Sequence, residues 1–536
     1  MIVPQLTSKA EQRAAQDRRA AGLALAGLAL SAVFGLLSPD GIVQFDDLTH
    51  YLFARYAWTW PQFLLDTWGR PGFTTLYFLP AGLGWPACRL LSAILTAWSA
   101  WLAYRIALGM KIRQPWIVII LAFGQPLFFQ LSLTTLTETA LAFYLTASVY
   151  LAQRGRWSAS AALLSLGFVT RHEAIVFLPA LCVFAWRARV NLLRLWPLLW
   201  APLLVNLIAP LADMEPPLKL LIAPRPSAQY GKGGWLTFFS RSLEAWGPAI
   251  SALAIAGWWT MLRTRRGALA ATCIALYFGA QTAVRALGLY DSGGYARFLV
   301  SISPLVAISA AVGWQRLWSQ DERIRRFATL SVAAAIILLW VAMESQILRA
   351  SQHRDLESEL PEVSVAKLAV RIATAALLTL AIVSSLGRRQ SIKRFTHTLV
   401  PGALVVLATI TTYRLCGPLP PPPEAEVIRE SLDWLDRNGY ADREIISGVV
   451  WIEYVIGKTR SPFRRYLLDR LEKAPIGTIF AYDRQFAGEA HGLSAQKLRD
   501  GGSFNEVYAS PSIRMHGPEP YLTLFEKVAE WAPSKE

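Results

Sequence analysis

The feature that leaves this chain the fewest options is a succession of apolar runs before residue 416. There are about thirteen, each near the length of roughly 17–25 residues that a helix needs to cross a bilayer. Hydrocarbon offers no partner to a backbone N–H or C=O, so a spanning segment must satisfy its own hydrogen bonds, as a helix does. The fold class expected is therefore a polytopic α-helical membrane protein. The runs fall at 21–37, 87–108, 115–132, 136–152, 157–170, 174–187, 195–212, 246–262, 267–288, 298–314, 327–343, 365–386 and 396–415. The 157–170 run is short and borrows its flanks.

Composition agrees: only 17% of the 536 residues are charged, while 54% are apolar and 12% aromatic. A formal charge of +16 would suit a nucleic-acid partner if it formed one surface. Instead it sits in short clusters between apolar runs, the mark of cytoplasmic loops. With the N-terminus inside, the loops on that side hold Arg105/Lys111/Arg113, Arg154/Arg156, Arg187/Arg189/Arg194, Arg263/Arg265/Arg266, the stretch from Arg316 to Arg326, and Arg388/Arg389/Lys393/Arg394. Every dense basic cluster then obeys the positive-inside bias, and one missed span would break the agreement. An odd count places the C-terminal tail outside, periplasmic or extracellular. The expected location is a plasma (inner) membrane, with no nucleic-acid partner. Arg13, Arg18 and Arg19 ahead of the first run resemble the start of a signal peptide, but no small-x-small cleavage site follows, so the run is read as a retained helix. Cys88, Cys182, Cys273 and Cys416 form no CxxC pair, which excludes a disulfide framework and a Cys-rich zinc site.

Residues 1–416 are thus read as a transmembrane module. Its first external loop, 39–86, is aromatic and amphipathic, with Trp58, Trp60, Trp68 and Trp85 suited to the headgroup level. A second loop, 213–245, is rich in Pro, Gly and basic residues. A Pro-rich linker, 417–423, leads to a small external α/β domain, 424–536. There a helix is expected over 425–437, with Val427, Ile428, Leu432 and Leu435 on one side. Strands are expected at 444–450, 477–482, 504–509 and 521–525. No internal repeat is visible.

Chemistry begins at Asp46-Asp47, two acids just after the first span. Partial desolvation at a membrane surface raises a carboxylate's pKa and equips it for general-base work. Adjacent helical residues point about 100° apart, so one acid faces a site while the other serves structure. Read as structure alone, the pair is an acidic helix N-terminus favoured by the helix dipole.

An acidic pair in the first outer loop, followed by amphipathic helices, resembles the GT-C superfamily of membrane glycosyltransferases, which includes dolichyl- and undecaprenyl-phosphate-sugar enzymes. Three other segments are similar to that family: Trp68-Gly69-Arg70-Pro71-Gly72-Phe73; the stretch from Leu133 to Glu138 with the later Thr170-Arg171-His172-Glu173; and Gly294-Tyr295-Ala296-Arg297-Phe298 running on to Pro304. The resemblance covers roughly residues 20–320. It implies a catalytic carboxylate at Asp46 or Asp47 and inverting transfer of one monosaccharide from a polyprenyl-phosphate-sugar to a protein, lipid or polysaccharide acceptor at the outer face.

Such transfer needs a base beside the acceptor and positive charge beside the leaving phosphate. Arg297 is the first choice for the phosphate, with Arg171, Arg225 and Lys232 behind it. Glu138, Glu173, His172 and Arg70 complete the candidate substrate-binding set. Ionisable side chains in spans are costly and by default functional. The plainer alternatives are snorkelling and a mutual ion pair for Arg171 and Glu173, and solvated loop charges for Arg225 and Lys232. No cofactor is demanded. Some family relatives use a divalent metal, and His50, three residues after Asp47 and on its face, would complete a site for one with Glu138, although a lone interfacial His is more often a hydrogen-bonding residue. Two other classes remain open: a transporter or lipid flippase, against which stand the missing repeat and the concentration of acids at span ends, and a non-catalytic cell-envelope scaffold.

Overall fold

The computed structural model describes residues 9–219, 231–290, 292–319, a few positions between 321 and 334, and then 417–457, 466–489, 491–513 and 518–532. The expected spans 365–386 and 396–415, most of 327–343, Arg225 and Cys416 lie outside the described residues.

Helix α1 (Lys9–Leu36) is followed by α2 (Phe45–Tyr56), a 3-10 turn (Pro61–Leu64) and α3 (Pro71–Leu83). Then come α4 (Trp85–Gly109), α5 (Ile117–Phe123), α6 (Pro126–Leu131), α7 (Thr137–Gln153) and α8 (Trp157–Thr170). A 3-10 turn (His172–Val176) enters α9 (Phe177–Arg187), and another (Leu192–Leu198) enters α10 (Trp200–Leu211). Helices α11 (Thr237–Trp246), α12 (Pro248–Arg263) and α13 (Ala268–Leu287), a 3-10 segment (Ala296–Ile302) and α14 (Ser303–Leu317) complete the described part of the bundle. Among the described residues four stretches are long and apolar enough to cross a membrane: Ala10–Leu36, Trp85–Gly109, Leu192–Leu211 and Ala296–Leu317.

Several expected spans are broken where proline intervenes. The 115–132 run becomes α5 and α6, because Pro126 has no N–H to continue the α5 ladder and instead starts a new helix at its first position. Small residues bring helices together where no hydrophobic drive operates between lipid-facing surfaces. A Cβ on Gly257 of α12 would stand 1.9 Å from the Ser309 carbonyl oxygen of α14, and one on Gly313 would stand 2.1 Å from the Leu253 oxygen. Backbone meets backbone there, and no side-chain rotation can relieve a clash. Gly257→Val is expected to cost at least ~2 kcal/mol through overpacking, read as a lower melting temperature in detergent, whereas Gly279→Ala, with open space around it, should be neutral.

The C-terminal part contains α15 (Pro423–Arg437), β1 (Ile445–Ser447), α16 (Val450–Val455), α17 (Tyr466–Lys473), β2 (Ile479–Asp483), a π-helical turn (Arg484–Glu489), α18 (Ala495–Asp500), β3 (Phe504–Ala509) and β4 (Leu522–Lys527). The sheet order is β1-β2-β4-β3, with β1 and β2 parallel and the other pairs antiparallel. Each strand falls in an expected segment, although β1 is cut to three residues by α16. Buried Lys527 donates to the carbonyls of Leu471, Glu472 and Ala474, closing the C-terminal end of α17.

This sheet unit rests on the first loop through aromatic rings. Trp85 lies 5.8 Å from Tyr51, 6.1 Å from Trp451 and 5.5 Å from Tyr454, centroid to centroid. Tyr56 donates its hydroxyl to Glu453 at 3.1 Å. The Pro-rich segment expected as a linker is held against the chain just past α1: Leu419 N–H donates to Ser38 Oγ at 2.7 Å, and Arg429 pairs with Asp40.

Candidate active site

The ends of four helices, α2, α7, α8 and α14, meet at one end of the bundle. Asp46 and Asp47 come from the first turn of α2, Glu138 from the first turn of α7, and Arg171 to Glu173 from the break after α8. Arg297 comes from the 3-10 entry to α14. Side chains far apart in the sequence thereby become one chain of charges. Arg297 donates Nη2 to Asp46 Oδ2 at 2.5 Å and Nη1 to Glu138 Oε1 at 3.0 Å. The same Glu138 oxygen takes Arg171 Nη1 at 2.7 Å, and Arg171 Nη2 reaches Glu173 Oε1 at 2.7 Å. Arg171 Nη1 also donates to Thr137 Oγ1 at 3.0 Å. Phe298 lies under both guanidiniums, at 4.9 Å from Arg171 and 5.4 Å from Arg297.

The series runs from dry to open. Glu138 is fully buried, with Arg171 and Arg297 nearly so, while the Asp46 and Glu173 side chains keep 31% and 34% exposure. Those two carboxylates are therefore the faces an incoming molecule can meet.

The adjacent acids of α2 divide their labour. Asp47 is fully buried. Its Oδ1 accepts the Thr135 backbone N–H at 2.6 Å and lies 2.5 Å from Thr135 Oγ1. Trp85 Nε1 donates to that hydroxyl at 3.0 Å. Burial pushes the Asp47 carboxyl above its usual range against the pull of Arg89 and Thr135. Asp46 behaves otherwise. Desolvation raises its carboxyl, but Arg297, with Arg70 behind it, outweighs that and holds it below the ordinary aspartate value. The expected raised base is thus corrected: the acid that meets solvent is lowered, because a guanidinium sits against it.

Arg70 and His172 form a second arm. Arg70 precedes Pro71 and caps α3 at φ 66°, a left-handed conformation costly for a residue with a Cβ. The strain is held by Asp66 O accepting the Arg70 N–H and by Arg70 O accepting the N–H groups of Phe73 and Thr74. It directs the guanidinium to His172, 2.6 Å from Nη1 to Nδ1. Arginine only donates, so Nδ1 accepts and the neutral ring carries its hydrogen on Nε2. That Nε2 is buried and has no hydrogen-bond partner among the described residues. Gly72 beside this turn is required by close packing, since a Cβ there would lie 2.4 Å from Thr170 Oγ1 and 2.6 Å from Leu166 O.

His50 is buried against Phe73, and its Nδ1 also lacks a partner. Burial, with Arg70, Arg297 and Arg171 adding to it and Asp46 opposing, pulls the His50 pKa down to about 3. Burial and Arg70 do the same for His172, to about 3. Both rings stay neutral in the folded protein at pH values where the unfolded chain already binds protons. Stability should accordingly rise with pH from about 3 to about 6.5 and level off above. His50→Gln should flatten part of that slope in melting temperatures recorded across the window; an unchanged slope would show that the ring is protonated or open in the fold.

The remaining candidates fare differently. Lys232 is exposed, on a segment that Arg285 fastens by donating to Gly231 O and accepting the Gly233 N–H; no described contact joins it to the charge cluster. Of the residues expected to hold a divalent cation, Glu138 is enclosed by two guanidiniums and Asp47 takes two donors from Thr135, and no group of three metal-capable side chains occurs among the described residues. Thr135, Thr137, Arg89 and Arg285 were not singled out from the sequence. The two arginines could have been, since each is an ionisable residue within an apolar run. Arg89 is buried, donates to the carbonyls of Ser38 and Gly41, and lies 3.9 Å over the Trp85 ring.

The chain's fold is similar to crystal structures of ArnT from Cupriavidus metallidurans, a GT-C glycosyltransferase, in the apo state and bound to undecaprenyl phosphate. Each comparison gives a TM-score of 0.54 at 12% identity, covering 96% of this chain and 100% and 99% of those chains. At that identity the likeness is one of fold, and it extends through the C-terminal part. No family model and no curated protein sequence matches the chain. It is an integral membrane protein with the fold of ArnT.

Proposed function

We propose that the chain is a glycosyltransferase that takes a monosaccharide from a polyprenyl-phosphate-sugar in the membrane. The observation that carries this reading is the unbroken series Asp46–Arg297–Glu138–Arg171–Glu173, with an accessible carboxylate at each end. A donor phosphate competes with Asp46 for Arg297. As the guanidinium turns to the phosphate, Asp46 loses the charge that held its carboxyl low and becomes a better base. It then takes the proton of the acceptor hydroxyl or amine. That nucleophile attacks the anomeric carbon, the C–O bond to the phosphate breaks through an oxocarbenium-like state, and the lipid phosphate leaves with its negative charge on the arginines. Attack opposite the leaving group inverts the anomeric centre. Asp47 orients the first turn of α2, and Glu138 holds the two guanidiniums side by side. The ArnT complex with undecaprenyl phosphate supports a polyprenyl lipid as the carrier. The acceptor is a protein, lipid or polysaccharide. The basic clusters between the apolar runs, read by the positive-inside bias, support an outer-face position for this site and the C-terminal domain in a plasma membrane. Residues 1–416 form the catalytic module, and 424–536 the domain that caps it.

The test is transfer itself. Membranes containing the protein, supplied with acceptor extract and a panel of labelled undecaprenyl-phosphate sugars, should move label from one donor. Failure with every donor, alongside flux of labelled lipid across proteoliposomes without a covalent product, would instead establish a transporter.

A further inference from the structure

The end of the bundle opposite the acids contains a cavity of about 410 Å³ with no part in the transfer chemistry. Four helix ends build it. Arg13 and Gln16 come from α1, Arg105 from near the end of α4, Gln153 and Arg154 from the end of α7, and Arg266 from the turn between α12 and α13. Topology alone requires only that basic residues be near span ends. It does not require four arginines, remote in sequence, to face one hollow. No carboxylate lines it. Asp17, the acid one turn beyond Arg13, is engaged by the Tyr104 hydroxyl.

The wall is built rather than loose. Arg266 Nη1 donates to the Gly109 carbonyl at 2.5 Å. Gln153 Nε2 bridges the carbonyls of Ile106 and Arg266 at 3.2 and 3.3 Å. The guanidiniums of Arg105 and Arg154 lie over the rings of Trp101 and Tyr150, each at 5.9 Å. Rings and carbonyls thus hold the cationic groups while most of their N–H donors remain available to a ligand. The volume falls in the range of small-molecule sites, roughly 300–1,000 Å³, far more than one phosphate fills.

We propose that this cavity binds the headgroup of an anionic phospholipid, and best one carrying two phosphates. Its place at the ends of the spans puts it at headgroup depth, where basic pockets between transmembrane helices take such lipids. Arginine's planar fork matches phosphate oxygens two at a time. The acyl chains then lie along the exposed apolar flank of α1, where Leu25, Leu30 and Val33 face outward.

The full-length protein, delipidated in detergent, is titrated with tetraoleoyl cardiolipin, with phosphatidylcholine and with sodium pyrophosphate, and bound ligand is read by native mass spectrometry. Cardiolipin should bind in preference to phosphatidylcholine, more weakly as salt rises. Arg105→Gln/Arg154→Gln should weaken it at least tenfold, by about fivefold for each charge removed near an anionic headgroup. Arg187→Gln/Arg189→Gln, which changes two exposed arginines outside the cavity, should change binding by less than about twofold. Arg13→Gln guards against misfolding, since that side chain is exposed and its loss alone should still cost about fivefold. Equal losses in both double variants, or none in either, would show that these arginines act only through topology. Pyrophosphate binding that matches cardiolipin and displaces it would overturn the lipid in favour of a soluble diphosphate.

Discussion

Asp46→Asn should abolish sugar transfer while leaving the protein folded. The side chain has one described hydrogen bond, from Arg297 Nη2, and is 31% exposed. An asparagine carbonyl can still accept from that guanidinium, so packing and the local pair survive. What it cannot do is take a proton, and loss of a general base lowers turnover by about 10²–10⁴-fold. Asp47→Asn should give the opposite pattern. Two Thr135 donors converge on Asp47 Oδ1. Hydrogen bonds to a charged group are each worth about 1.5–3 kcal/mol, so the neutral amide should lower the melting temperature. Thr135→Val should do the same, and any remaining folded protein should transfer sugar. Release of label from the donor, measured beside melting temperature for the three variants, separates these outcomes. Loss of transfer in Asp47→Asn at unchanged stability, with Asp46→Asn active, would reverse the assignment of the base.

The second large effect is expected at Glu138. Its Oε1 accepts from Arg171 at 2.7 Å and Arg297 at 3.0 Å, and nothing of the side chain reaches solvent. The shared anion is what allows two buried guanidiniums to lie so close. Glu138→Gln keeps the shape and removes the charge, leaving the cations to repel one another. Breaking a buried pair in this way costs about 3–5 kcal/mol. Melting in detergent should fall accordingly, and transfer should fail even below the new melting temperature, because Arg297 is no longer aimed at the donor phosphate. Combining Glu138→Gln with Arg171→Gln should recover part of the stability, since Arg297 then faces no second guanidinium and keeps its pair with Asp46; strict additivity of the two losses would show that the groups do not interact.

Much of the frame was legible in the residues. A helix's length and its apolar content are local properties, so α4, α7, α8, α12 and α13 lie within a residue or two of the expected runs. Strands β2, β3 and β4 were equally plain from their β-branched and aromatic content. The breaks were less so. Pro126 and the 3-10 segment at Ala296–Ile302 interrupt apolar runs with no local change of hydropathy to announce the break. Such interruptions depend on whether neighbouring helices can satisfy the freed backbone groups.

At the site, position in the sequence was enough to nominate Asp46, Asp47, Glu138, Arg171 and Arg297, because charge at the end of an apolar run is expensive enough to need a reason. Partners were another matter. Arg297 meets Asp46 across 251 positions and Glu138 across 159, and Thr135 meets Asp47 across 88. Those separations are closed only by the packing of α2, α7 and the entry to α14. The rotation of α2 then turns Asp47 inward onto Thr135 and leaves Asp46 at the open edge. Local helix geometry says only that adjacent acids diverge; which of them is buried depends on the neighbours they meet in the assembled bundle.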